Sequence, residues 1–307
     1  MSEVSIHLSE IEGPLKSGQY VLNENGIEIP FRFRSGQTDA LLIIFHGGLN
    51  RKTREYPFFQ PFLPIDVNQI SIADPTVAED PRLGSGWYIG AEGWNLPEKI
   101  LRLVMSAADS LGLSKRIYIG ASAGGFASLL YSFMDKGSIV VTANPQTHLP
   151  DYPNSHFERL RQVCWPSCKT IEEFEQEAPI SVSSLYSKQV ANQIIYIQSS
   201  GDYEHVKTQF RDFLSKLHPA NFSNLILDVG FWNVLGHSGS VPPSAWIPWV
   251  RTVLSSKALD TDGLLMARNA LFEKPLGTLS TQPSHSHAPS SADIIRADLV
   301  RDELLNS

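Results

Sequence analysis

The 307-residue chain is 42% hydrophobic and 19% charged, with a formal net charge of −7 at pH 7, the make-up of an ordinary globular protein. No cluster of Lys and Arg offsets that acidity, which argues against nucleic acid as a partner. No apolar run approaches the ~18 residues of a membrane span, and residues 1–18 lack the basic start and apolar stretch of a secretory or transit peptide, so a cytoplasmic protein with no membrane partner is expected.

Asn25-Gly26, between apolar segments at 20–23 and 27–33, signals a hairpin. Residues 41–45 form a continuous apolar run that feeds His46-Gly47-Gly48, as a buried strand enters a tight loop. A shorter strand at 70–73 ends on Asp74-Pro75. Residues 97–113 place Ile100, Leu101, Val104, Ala107 and Ala108 at helical spacing, with Pro97 in the first turn. A strand at 116–120, an apolar helix at 124–136 and a strand at 138–143 follow. Residues 148–190 break this rhythm with Pro153, Pro166, Pro179 and a helical stretch near 170–176, and read as an inserted lid. Strands resume at 193–198 and 224–229, and helices at 202–217 and 242–255. Such alternation predicts an α/β fold with a mostly parallel sheet covered by helices on both faces.

Residues 1–273 are therefore expected to form one domain. Residues 275–291, rich in Pro, Ser, Thr and His, read as a flexible linker within a 274–307 tail. Ile295, Leu299 and Leu304 give residues 294–305 an amphipathic helical stripe, which would dock back on the domain, meet a protein partner or stay unfolded. Cys164 and Cys168 are expected as reduced thiols, and no neighbouring ligand set suggests a metal.

The chemistry concentrates at Gly120-Ala121-Ser122-Ala123-Gly124, between a β-rich run and a helix. A sharp strand-to-helix turn needs small neighbours, lifts the serine above the sheet edge and sets it at a helix N-terminus that favours negative charge. This segment resembles the nucleophile elbow of the α/β-hydrolase superfamily, and the likeness extends over residues 20–255.

A serine attacks an ester only with a general base, which an acid must orient. The resemblance implies the chain order Ser, Asp or Glu, His. His237 sits in a glycine-flanked loop between the last strand and the closing helix, where the superfamily keeps its base. Asp202 follows the strand at 193–198 and opens a helix, so it suits both the catalytic acid and an N-cap. Asp228, inside a strand, is its main competitor, and Glu204 a lesser one. The oxyanion hole would use the amides of Ala123 and Gly48, with Leu49 second to Gly48, while His46 would orient the loop.

Trp87 and Tyr88, within Gly86-Trp87-Tyr88-Ile89-Gly90, would stack on a sugar, line an acyl pocket or pack in the core. Asn144 and Gln146 would add polar contacts, and Phe157, Arg159, Arg161 and Trp165 would face either substrate or solvent from the lid. These segments are similar to α/β-hydrolase proteins of bacterial surface-glycan and accessory-secretion systems, which implies an O-acyl ester on a carbohydrate. The expectation is a serine esterase that works through an acyl-enzyme on Ser122 without metal or organic cofactor. The alternatives are an acyltransferase to a glycan or alcohol, a peptidase, and a non-catalytic binding protein on the same fold.

Overall fold

The structure, a computed structural model, describes residues 4–7, 13–152 and 154–273. The expected tail features at 275–291 and 294–305 lie outside the described residues. The chain divides into one compact unit, residues 1–271, and a second, residues 272–307, of which only 272 and 273 are described.

A short strand β1 (Val4–Ile6) runs parallel to β2 (Gly18–Glu24), which turns back on β3 (Ile27–Arg34). The turn between them takes Asn25 to φ 53° and Gly26 to φ 80°, the left-handed pair that a two-residue hairpin requires. The remaining strands are β4 (Ala40–Phe45), β5 (Asn68–Ile72), β6 (Lys115–Ala121), β7 (Ile139–Ala143), β8 (Gln193–Ser199) and β9 (Leu225–Gly230). Their order in the sheet is β1-β2-β3-β5-β4-β6-β7-β8-β9. From β5 to β9 every pairing is parallel, so the carboxyl ends of these strands share one edge. Loops at that edge hold ligands in open α/β sheets.

Both faces of the sheet are covered, which explains why the inner strands read as unbroken apolar runs. On one face Leu41, Ile43, Tyr118, Val140 and Tyr196 pack with α1 (Leu96–Ser110) and α2 (Ala123–Met134). On the other, Leu42, Ile44, Ile119, Val141 and Ile195 meet Trp249, Val250 and Val253 of the closing helix.

Between β7 and β8 lie α3 (Asn154–Cys164), α4 (Ile171–Glu177) and α5 (Val182–Leu185). Thr170 and Glu173 form a capping box at the start of α4. The segment expected as a lid puts Phe157, Leu160, Cys164, Trp165 and Phe174 into the main core. After β8 the chain winds through α6 (Tyr203–His205), a π-helical turn (Val206–Phe210) and α7 (Arg211–Lys216). After β9 come α8 (Pro243–Ser255) and α9 (Thr261–Glu273). Among the described residues, no helix is long and apolar enough to cross a membrane.

Candidate active site

Adjacent strands β4 and β6 release two tight turns side by side. Ser122 follows β6 at φ 57° and ψ −121°, a backbone state that costs a non-glycine residue on the order of 1–3 kcal/mol. The surroundings hold it there. Its N–H donates to the Ala143 carbonyl of β7, and its own carbonyl accepts from the N–H groups of Phe126 and Gln146. Two glycines let α2 sit close enough for this turn. A Cβ on Gly124 would stand 2.5 Å from the Phe45 carbonyl oxygen, and one on Gly120 would run into Gly124 itself.

His237 reaches Ser122 from the loop between β9 and α8. Its Nε2 lies 2.7 Å from Ser122 Oγ, and its Nδ1 2.5 Å from Asp202 Oδ2. The carboxylate accepts from Nδ1–H, which leaves Nε2 to accept the serine hydroxyl proton. The loop is anchored on the acid's own turn, where the Gly236 N–H donates to the Gly201 carbonyl. A Cβ on Gly201 would fill the space of the Val234 carbonyl oxygen. Ser240 Oγ donates to the His237 carbonyl and accepts from Asn144 Nδ2, while Asn144 Oδ1 accepts from the Ser199 N–H.

Asp202 is buried at the end of β8 and caps α6, its Oδ1 accepting from the His205 N–H at 3.4 Å. The same oxygen accepts from His205 Nδ1 at 3.1 Å. Burial raises the carboxyl pKa, but the hydrogen bonds and charge of His205 and His237 outweigh it and hold Asp202 below the ordinary carboxylate value. The His205 ring also lies flat against that of His237, with centroids 3.8 Å apart and planes 7° apart. One carboxylate therefore holds two stacked imidazoles. Asp228 instead accepts from Trp249 Nε1, away from this group.

Ser122 and His237 face a cavity of about 490 Å³ whose walls also include Gln146, Asn144, Tyr152 and His156. Gly48 and Ala123 line it beside the serine. Leu49 is engaged elsewhere, its N–H donating to the Gly84 carbonyl. His46 is buried, donates from Nδ1 to the Gly47 carbonyl and accepts the Asp74 N–H at Nε2. Burial lowers its pKa against the charge of Asp74, so the ring stays neutral and pins the loop.

The chain has the α/β-hydrolase fold. Solved structures of that fold match it with probability 1.00. A capsule O-acetyltransferase of Neisseria meningitidis serogroup A matches at 16% identity and TM-score 0.59, over 80% of this chain and 98% of that one. The Gap123 glycosylation-associated complex from Streptococcus agalactiae matches at 15% and 0.52, over 78% and 47%. A Pyrococcus horikoshii acylaminoacyl peptidase matches at 12% and 0.54, over 84% and 45%. No family model and no curated protein matches the chain.

At this site the expected substrate residues divide. Trp87 lines the cavity, and its Nε1 donates to Gln146 Oε1. That contact turns the amide so that Gln146 Nε2 donates to Ser122 Oγ at 3.2 Å. Tyr88 does not contact the cavity. It is buried, its hydroxyl donating to the Ile72 carbonyl and accepting the His46 N–H. Bulk and neighbouring glycines made it look like a contact residue, but Asp74 draws the Gly86 and Tyr88 amides inward. Phe157, Arg161 and Trp165 are likewise spent on packing or on Glu158, Cys168 and Gly90. Sequence reasoning missed Tyr152 and His156, which are what that segment adds to the cavity. It also missed His205, three residues after Asp202 and hence on the same helical face.

Proposed function

We propose that the protein is a serine esterase that cleaves a carboxylic ester through an acyl-enzyme on Ser122. The observation that carries this reading is the unbroken Asp202–His237–Ser122 chain at 2.5 and 2.7 Å. Ser122 Oγ attacks the acyl carbonyl carbon while its proton passes to His237 Nε2. Collapse of the tetrahedral adduct breaks the ester C–O bond, and His237 gives its proton to the departing alcohol. Water then attacks the acyl-enzyme, loses a proton to His237 and releases the carboxylic acid as Ser122 regains its hydrogen. Asp202 keeps the imidazole in its working tautomer and stabilises its charged form. The amides of Gly48 and Ala123 hold the oxyanion, a role in which one lost donor costs about 10²–10³ in rate. Every step is supplied by side chains and amides of this chain.

A second reading, acyl transfer to a sugar or alcohol, keeps the same first half and replaces water with another hydroxyl. It is favoured by the likeness to a protein named as a capsule O-acetyltransferase, which the match covers over 98% of its length. A carbohydrate O-acyl ester is the substrate class common to both readings. A cytoplasmic location agrees with the two free, buried thiols Cys164 and Cys168.

The test is labelling by a fluorophosphonate probe, followed by turnover of acyl esters with and without added sugar acceptors. The expected result is stoichiometric labelling of Ser122 and release of the free acid. Folded protein that neither labels nor turns over any ester would place the chain with non-catalytic binding proteins. Capture of the acyl group by sugar faster than by water would select the transferase.

A further inference from the structure

A second, smaller recess adjoins the catalytic cavity. Gly47, Gln60, Ala121 and Ala143 line both. The recess encloses about 60 Å³ and runs between the sheet and α8, with Val141 along its side and Trp246 among its walls. Four of these six contacts are glycine, alanine or valine, and Gln60 is the polar side chain among the six. The Gln60 backbone is held in turn, its main-chain carbonyl accepting from Ser71 Oγ at 2.8 Å.

We propose that this recess receives the acyl chain of the substrate and restricts it to a short, unsubstituted one of about two to four carbons. The proposal rests on the acyl-enzyme reading above. A carbonyl carbon bonded to Ser122 Oγ carries two further groups in the tetrahedral state besides the oxyanion. The leaving alcohol must face His237 to receive its proton. The acyl chain takes the remaining direction, and the residues before and beside the nucleophile, Ala121 and Gly47, open that side to the recess. A Cβ on Gly47 would sit 3.3 Å from the Ala121 carbonyl oxygen and 3.7 Å from Ser122 Cβ. The absent side chain is therefore what keeps the passage beside the serine clear.

Size sets the limit. One water needs on the order of 10–15 Å³ in such a measure, so 60 Å³ takes roughly four non-hydrogen atoms. Chemistry sets the class. A small, largely apolar recess gains by enclosing methyl and methylene groups, and with the Gln60 amide and the Trp246 indole as its polar side-chain groups it offers a charged chain no counter-charge. Trp87 and Tyr88, the aromatic pair that the sequence offers for an acyl pocket, stand outside this recess.

The experiment compares kcat/KM for p-nitrophenyl acetate, butyrate, hexanoate and octanoate, with fluorophosphonate labelling of Ser122 as a control for the triad. Wild type is expected to gain about four-fold for each added methylene up to butyrate and to lose at least ten-fold between butyrate and octanoate. Trp246 is half-buried on α8, so Trp246→Ala should fold and move the optimum toward hexanoate. Val141→Phe fills the recess from the sheet and should keep acetate turnover while losing butyrate. Circular dichroism checks the fold of each variant, and Trp246→Ala stands as the test if Val141→Phe does not fold. A labelled enzyme that hydrolyses octanoate as well as butyrate, with neither variant changing the profile, overturns the acyl recess and leaves the serine esterase intact. Absence of both labelling and turnover overturns the two together.

Discussion

Ser122 and His237, the proposed nucleophile and base, are held in opposite ways. Ser122 is wedged between β6 and α2, with one backbone bond to β7, another from Gln146 just beyond it, and two glycines whose replacement would collide with backbone. His237 rides on a loop where Phe231 and Leu235 are exposed and where Gly236 and Gly239 take positive φ with open space where a Cβ would stand. The serine is positioned by the fold. The histidine is positioned by the few polar groups it touches, chiefly the buried Asp202 and, through its carbonyl, Ser240. Precision at this site is thus built from a rigid half and a tethered half, and the tether is the part that single substitutions can tune.

The largest break in this contrast comes from removing either partner of the proton transfer. Ser122→Ala and His237→Ala should each lower kcat by about 10⁶, with unfolding temperatures within about 2 °C of wild type. A drop of only ten-fold in esterase assays of either variant would point to a different nucleophile.

Asp202→Asn should cost on the order of 10⁴ in kcat, because an amide can present the wrong atom to Nδ1, while asparagine still caps α6. It should also change the acid response of stability. The folded carboxyl lies below its ordinary value, near 3.9 in the unfolded chain. Its contribution to stability is therefore complete above that value and fades as pH falls through the lower, folded value. Unfolding temperature measured from about pH 5 down to pH 2 should fall less steeply in Asp202→Asn than in wild type.

Glycine substitutions sharpen the difference between the two halves directly. Gly124→Ala forces a methyl to 2.5 Å from the Phe45 carbonyl oxygen and should cost roughly 2–4 kcal/mol. Gly236→Ala, at φ 85° in open space, should cost about 1 kcal/mol. Urea unfolding measures both, and equal costs would erase the distinction between a wedged elbow and a tethered loop.

The smallest expected effect belongs to His205. His205→Phe keeps a ring against His237 but removes the hydrogen bond to Asp202, which leaves the carboxylate a stronger partner for the His237 imidazolium. With one bond fewer to hold Asp202, kcat should fall by about three-fold. His205→Asn offers an amide N–H near the place of Nδ1 and should return kcat toward wild type. An unchanged kcat in His205→Phe would assign the residue to packing alone.

The sequence exposed the serine side of this site more readily than its surroundings. The strand-turn-helix around Ser122 is written in local terms, as small residues between two apolar runs, and the β4-to-α8 alternation follows the same local logic. Asp202 and His237 needed only the order of elements. Tyr88 misled because its inward turn depends on Asp74, fourteen residues away, and nothing in its own neighbourhood announces that carboxylate. His205 was hidden because a histidine one turn into a helix is usually a surface residue; only the stack on His237 gives it meaning. β1 and α9 escaped for a related reason, the first being three residues long and the second having a weak apolar stripe.

The double duty of Asp202 has an evolutionary reading. A descendant that lost its substrate would be free to change Ser122 and His237, but the start of α6 and the placement of His205 would still depend on the same carboxylate. Selection for folding alone would preserve it. On the proposed function, an aspartate at this position therefore says little about whether a related chain is catalytic, whereas the serine and the histidine, which the fold can spare, say a great deal.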